Sequence, residues 1–104
     1  MKFGISDKSI QLIHSIMENY PEIDKVIIYG SRAKGNFNEG SDIDLTLYGE
    51  NLTNNIKSKL AGDLDDSLTP YLFDISIFDK LNAPDLEEHI NRVGQIFYKK
   101  EEQK

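Results

Sequence analysis

The sequence predicts an α/β (α+β) fold, a small mixed β-sheet packed with helices. Short apolar runs of strand period alternate along it with four-residue helical stripes. At 104 residues and 38% hydrophobic content the chain can bury one modest core. Residues 1–104 are therefore expected to form one domain. No repeat, low-complexity tract or linker interrupts the order of elements.

Residues 6–19 read as an amphipathic helix. Ile10, Ile13, Ile16, Met17 and Tyr20 recur at helical spacing, Ser6 or Asp7 can cap the start, and Pro21 stands just past the end. Residues 26–29, apolar and β-branched, read as a buried strand that stops at Gly30. Residues 43–48 alternate with Asp44 and Thr46 and read as a second strand, and LFDISIF at 72–78 as a third. Between these two, Leu52, Ile56, Leu60, Leu64 and Leu68 make one helical stripe that Pro70 closes. Pro84 suits a helix first turn, Leu86, Ile90 and Val93 supply an apolar face, and Gly94 is a natural residue to follow its end. Residues 96–98 add a possible short strand, and 99–104 a frayed tail. The pattern leaves open which strand pairs are parallel.

With 12 basic against 18 acidic residues the net charge is −6, and Lys and Arg form no cluster. Direct nucleic-acid binding is therefore not expected, and an anionic ligand must be met locally or through metal ions. Cysteine is absent, no segment has the pattern of a secretion signal, and the apolar runs are too short to span a bilayer. A soluble, cytoplasmic chain without membrane association is expected.

Chemistry concentrates in residues 30–45, GSRAKGNFNEGSDIDL. Gly30 lacks a Cβ, so backbone can turn sharply or approach a ligand there, and Ser31 adds an N–H and a hydroxyl. If a helical turn begins at Ser31, its free N–H groups make an anion site onto which Arg32 can fork. The P-loop is excluded, because Asn36 and Phe37 stand where that motif needs Lys and Ser or Thr. Asp42 and Asp44, two apart on the predicted strand, point to one face. Carboxylates that close repel unless protonated or bridged by cations, and hard divalent ions are the usual bridge. An EF-hand would need Asp or Asn at Thr46 and glycine at Leu47, so it is excluded too. Asp74, flanked by Phe73 and Ile75, is an isolated charge where a core strand seldom carries one. Should its strand lie beside that of Asp42 and Asp44, three carboxylates converge as in two-metal phosphoryl or nucleotidyl transfer.

Gly30-Ser31, ten intervening residues, Asp42-Ile43-Asp44 and a later apolar-flanked Asp74 together resemble the signature of the nucleotidyltransferase (polymerase β-like) superfamily. The chain's size resembles the minimal nucleotidyltransferases (MNT). The resemblance implies that Gly30 and Ser31 contact a nucleoside triphosphate and that Asp42 and Asp44 bind two Mg²⁺ ions. Asp74 is implied as a further metal ligand and as the base for the acceptor hydroxyl, with Arg32 and Ser41 as helpers beside the nucleotide. It also implies ATP as substrate and a helical HEPN protein, encoded nearby, as partner in a hetero-oligomer. In that setting the chain is the antitoxin, adding AMP to a tyrosine of the HEPN toxin.

Two other functions fit the same residues. One is a non-catalytic nucleotide-binding module that neutralises a HEPN partner by occlusion; the other is nucleotidylation of a small molecule such as an antibiotic. Elsewhere the plain readings stand. Lys34 balances Glu39; His14 and His89 lack a metal-ligand companion and read as packing residues; Asp63, Asp65 and Asp66 read as a solvated helix face. Tyr29, Tyr48, Tyr71, Phe73 and Phe78 read as strand core rather than as a base-stacking set.

Overall fold

The computed structural model describes residues 2–100. In chain order the elements are α1 (Asp7–Met17), β1 (Lys25–Tyr29), α2 (Ser31–Lys34), β2 (Ile43–Tyr48), α3 (Asn54–Asp65), β3 (Phe73–Ile77), a 3-10 turn (Phe78–Lys80), α4 (Pro84–Val93) and β4 (Gln95–Lys99). The four strands form one mixed sheet in the order β3-β2-β1-β4, with β1 antiparallel to both neighbours and β3 parallel to β2. Parallel pairing requires a crossover, and α3 supplies it.

Strand alternation divides the apolar residues between the two faces. Val26 and Ile28, Ile43, Leu45 and Leu47, and Ile77 point to the face covered by α1 and α3, where they bury with Ile13, Met17, Leu60 and Leu64. Ile27 and Tyr29 point the other way and pack with Ile90 of α4, flanked by Tyr48, Phe78, Leu81 and Leu86. Side-chain caps begin the two larger-face helices: the Ser6 hydroxyl accepts from the Ser9 N–H at 3.2 Å, and the Thr53 hydroxyl from Ile56 at 3.2 Å. Tyr20 donates a hydrogen bond to Asp63, tying the end of α1 to α3. Burial and this carboxylate push the Tyr20 hydroxyl up to about 12. No helix among the described residues is long and apolar enough to cross a membrane.

Several boundaries differ from the sequence reading. The leucine stripe overruns its helix at both ends: Leu52 is buried just before the Thr53 cap, whereas Leu68 lies past α3 and is 96% exposed. Gly94 follows α4, as expected, in an extended conformation at φ −66°. Its need is for space, since a Cβ would strike the Ile90 carbonyl and lie 2.6 Å from a methyl of Ile27. Phe78 leaves the third strand for the 3-10 turn. The expected frayed tail begins too early, because Lys99 pairs with Lys25 and the Lys100 N–H donates to the Asp24 carbonyl at 2.9 Å; residues 101–104 lie outside the described residues. His14 packs, as read, against Phe97 and Tyr98, and its Nε2–H donates to the Phe97 carbonyl at 2.7 Å where β4 is bulged against β1.

Leu64 and Leu68 belong to one stripe in sequence and to opposite environments in the fold. Leu64→Ala should cost about 2–5 kcal/mol of unfolding free energy, as a cavity in the larger core. Leu68→Ala should change it by less than about 0.5 kcal/mol. Urea denaturation of the two variants measures the contrast.

Candidate active site

Three strands bring their ends to one corner of the sheet. β1 finishes at Tyr29 while β2 and β3 begin at Ile43 and Phe73. Because β1 runs opposite to the other two, these termini coincide. The register sets Tyr29 opposite Asp44 and Asp44 opposite Asp74. Directly opposed residues project to the same face, so these three side chains form a row on the α4 side. The next row inward is Ile27, Thr46 and Ser76. There the Thr46 hydroxyl is fully buried with no hydrogen-bond partner.

The backbone leaving this corner accounts for the glycine. Gly30 has φ 76° and ψ −157°, a region open essentially to glycine alone, and a Cβ on it would run into the Asp44 carboxylate. From Gly30 the chain enters α2, whose first i→i−4 bond is Lys34 N–H to the Gly30 carbonyl at 3.1 Å. The amides of Ser31, Arg32 and Ala33 thus precede the helical ladder, beside the carboxylate row. A helical turn does start at Ser31, as the sequence required of an anion-binding segment.

Asp42 lies one residue before β2, exposed, rather than on the strand itself. Asp74 is also exposed, and Asp44 between them is half-buried. Burial raises the Asp44 pKa above its usual carboxylate value, Asp74 and Asp42 raise it further by repulsion, and His89 opposes them. The Tyr29 hydroxyl is also raised, first by burial; the nearby Ser76 hydroxyl, which has no hydrogen-bond partner of good geometry, works the other way, and Asp74 and Asp44 add to the rise. An all-oxygen donor set under mutual repulsion suits a hard divalent cation such as Mg²⁺. Among the described residues, no three His, Asp or Glu side chains surround a single point closely enough to share one ion. The carboxylates are neighbours along a sheet end, with Asp42 and Asp74 exposed at its rim.

Arg32 and Ser41, expected beside the nucleotide, are both engaged within the protein. Arg32 is only 2% exposed, and its guanidinium donates to main-chain carbonyls of Ser41, Phe3 and Glu39. Ser41 is engaged on both sides: its carbonyl accepts from Arg32 and its hydroxyl accepts from the Asn38 N–H at 2.9 Å. Both residues shape the loop rather than face the carboxylate row. His89 and Tyr29, read as packing residues, do pack together beside Asp44, with ring centroids 6.4 Å apart in an edge-on contact. A signal for His89 was available, since it falls at i+3 from Leu86 and one residue before Ile90, on the stripe that α4 turns to the sheet. Two surface grooves of about 540 and 610 Å³ lie away from this corner, one along α4 around Glu88 and Arg92, the other between α1 and β4.

The raised Asp44 pKa has a consequence for stability. The folded chain holds this proton more tightly than the unfolded chain, so the charged form costs stability. That cost is absent below the ordinary value of 3.8 and is complete once pH exceeds the raised folded value. Asp44→Asn should therefore increase Tm by about 3 °C at neutral pH without divalent cations. The gain should disappear in acid. Thermal melts of both proteins across pH check the sign.

The solved structures that resemble this chain share its fold at low identity. A chain of a toxin–antitoxin complex crystallised with AMP-PNP superposes with a TM-score of 0.70 at 20% identity, covering 92% of this chain and 75% of that one. A chain of the complex between a tri-AMPylated HEPN toxin and its MNT antitoxin, from Shewanella oneidensis, gives a TM-score of 0.65 at 18% identity, covering 89% and 71%. A putative nucleotidyltransferase from Sulfolobus solfataricus gives 0.53 at 18% identity, covering 88% and 77%. No curated protein matches the sequence. The family match is extensive: residues 11–103 fit the family described as Polymerase beta, Nucleotidyltransferase. By that match, which spans the glycine-serine turn and all three aspartates, the chain belongs to the polymerase β-type nucleotidyltransferases.

Proposed function

We propose that this chain transfers AMP from ATP, with Mg²⁺, to a tyrosine hydroxyl of a helical HEPN-type partner, and that this modification makes it the antitoxin of a pair. One observation carries the reading. Asp44 and Asp74 sit in register on adjacent strands at the sheet end where Gly30 and Ser31 begin a helical turn. Membership of the nucleotidyltransferase family supports the reaction class. The partner and the nucleotide are suggested by similar folds found in a toxin–antitoxin complex with AMP-PNP and in a complex with an AMPylated HEPN toxin.

In this reading Asp42, Asp44 and Asp74 hold two Mg²⁺ ions. When bound, such ions lower the pKa of an attacking hydroxyl and neutralise charge on the triphosphate. The main-chain amides of Ser31 and its successors hold phosphate oxygens, and Gly30 leaves the Asp44 carboxylate room to reach the same ligand. Asp74, exposed at the rim, accepts the proton of the incoming tyrosine hydroxyl. The tyrosine oxygen bonds to the α-phosphorus, the bond from that phosphorus to pyrophosphate breaks, and pyrophosphate departs with the electron pair. His89 and Tyr29 wall the site from the α4 side and keep Asp44 half-buried.

The test combines purified protein, Mg²⁺, labelled ATP and the helical partner. Label should appear on a partner tyrosine. It should fall by more than about 10³-fold in the Asp42→Ala, Asp44→Ala double variant, which still forms the complex. Complex formation without any transfer by the wild-type protein would sink the catalytic reading. Undiminished protection by the double variant would favour neutralisation by occlusion.

A further inference from the structure

Arg32 occupies an unusual position for a charge in a protein of this size. It follows Ser31 directly, lies on the four-residue α2, and is 2% exposed. Burying a guanidinium is costly unless its N–H groups find acceptors. Here they do. Nε and Nη2 both donate to the Ser41 carbonyl, at 3.0 and 2.8 Å; Nη1 donates to the Phe3 carbonyl at 2.9 Å, and Nη2 reaches the Glu39 carbonyl at 3.4 Å. The rings of Phe37 and Tyr71 lie 5.2 and 5.3 Å from its central carbon, within cation–π range.

What these contacts join matters more than their number. Ser41 immediately precedes Asp42, and Phe37 and Glu39 belong to the same loop between α2 and β2. Within that loop the other bonds are short-range: Ser41 N–H to the Asn38 carbonyl at 3.0 Å, Asn38 N–H to the Ser41 hydroxyl at 2.9 Å, and Asn36 N–H back to the Ser31 carbonyl at 3.2 Å. Asp42 itself is exposed and lies outside the β2 ladder. The fork on Ser41 therefore holds Asp42 from the loop side, towards Ser31, while the Ile43 N–H bond to the Leu72 carbonyl at 2.8 Å holds it from the strand side. Tyr71, two residues before β3 and three before Asp74, brings the third strand's entry to the same hub.

We propose that Arg32 is a positioning residue: it touches no ligand, and it locks the loop carrying Asp42 against the turn carrying Gly30 and Ser31. The proposal rests on the metal-dependent reading of the site given above. A planar fork with a charge is what the arrangement uses, and lysine cannot supply the double contact to one carbonyl.

The experiment follows Mn²⁺ binding, in the presence of a non-hydrolysable ATP analogue, by paramagnetic broadening of the amide signals of Gly30, Ser31 and Asp42. Arg32→Lys should raise the half-saturating Mn²⁺ concentration by about 10-fold or more, as loss of an outer support for a ligand does. Amide exchange across residues 36–42 should rise with it. Ile13→Val, a mild core change remote from the site, controls for lowered stability and should do neither. If Arg32→Lys does not fold, Phe37→Leu removes one ring from the guanidinium and should shift Mn²⁺ binding in the same direction. Faster loop exchange with unchanged Mn²⁺ affinity would overturn the positioning role, leaving Arg32 as a purely structural contact. Absence of Mn²⁺ broadening in the wild-type protein would instead overturn the metal-site reading itself.

Discussion

Two carboxylates in register on adjacent parallel strands are the constraint around which this protein is arranged. Asp44 of β2 stands opposite Asp74 of β3, with Asp42 close by, and burial first, then repulsion from these two neighbours, raises the Asp44 pKa. A fold selected for stability alone would avoid such a row. Here the neighbouring structure makes room for it: Gly30 has no side chain where one would collide with Asp44, and α3 provides the crossover that lets β3 lie parallel to β2. The larger core beneath the sheet, with Ile13, Met17, Leu60 and Leu64 against residues of all four strands, supplies the rigidity that holds the row together.

The opposite face is less heavily covered, and that difference opens the site. α4 packs Ile90 onto Ile27 and Tyr29 and turns His89 towards Asp44, while the sheet end beyond it remains exposed at Asp42 and Asp74. Asp44 is thus half-buried between an apolar wall and an open rim. A cation entering from the rim would meet carboxylates already adjacent, and a phosphate would meet the unladdered amides of α2. In a chain of net charge −6, cations are the means by which a triphosphate could be accepted at this corner.

Much of this was legible in the sequence because strand and helix periods differ so plainly. The alternation in 43–48 and 72–78 marked both strands that carry aspartates, and the spacing of Gly30-Ser31 from Asp42 and Asp44 carried the family resemblance. Pairing was not legible, since nothing in the sequence states that β2 and β3 run parallel in register. The contacts of Arg32 were not legible for a related reason. A cation beside a glycine-serine turn suggests a phosphate contact, but its acceptors are main-chain carbonyls of Phe3, Glu39 and Ser41, which have no sequence signature. Leu68 misled because an apolar stripe describes where a helix can run, not where packing ends it, whereas Gly94 does follow α4. His89, read as a packing residue, packs edge-on against Tyr29, as its position on the apolar stripe of α4 suggested.

The central claim is that one sheet end, with Gly30, Ser31, Asp42, Asp44 and Asp74, forms a cation-dependent nucleotide site. The most direct measurement is a crystal structure of the protein with Mn²⁺ and a non-hydrolysable ATP analogue, using anomalous scattering to locate the metal. Anomalous peaks should lie against the carboxylates of Asp42, Asp44 and Asp74, with analogue phosphates at the Gly30-Ser31 turn. Nucleotide bound elsewhere, or bound at the turn with no metal density at the three carboxylates, would contradict it.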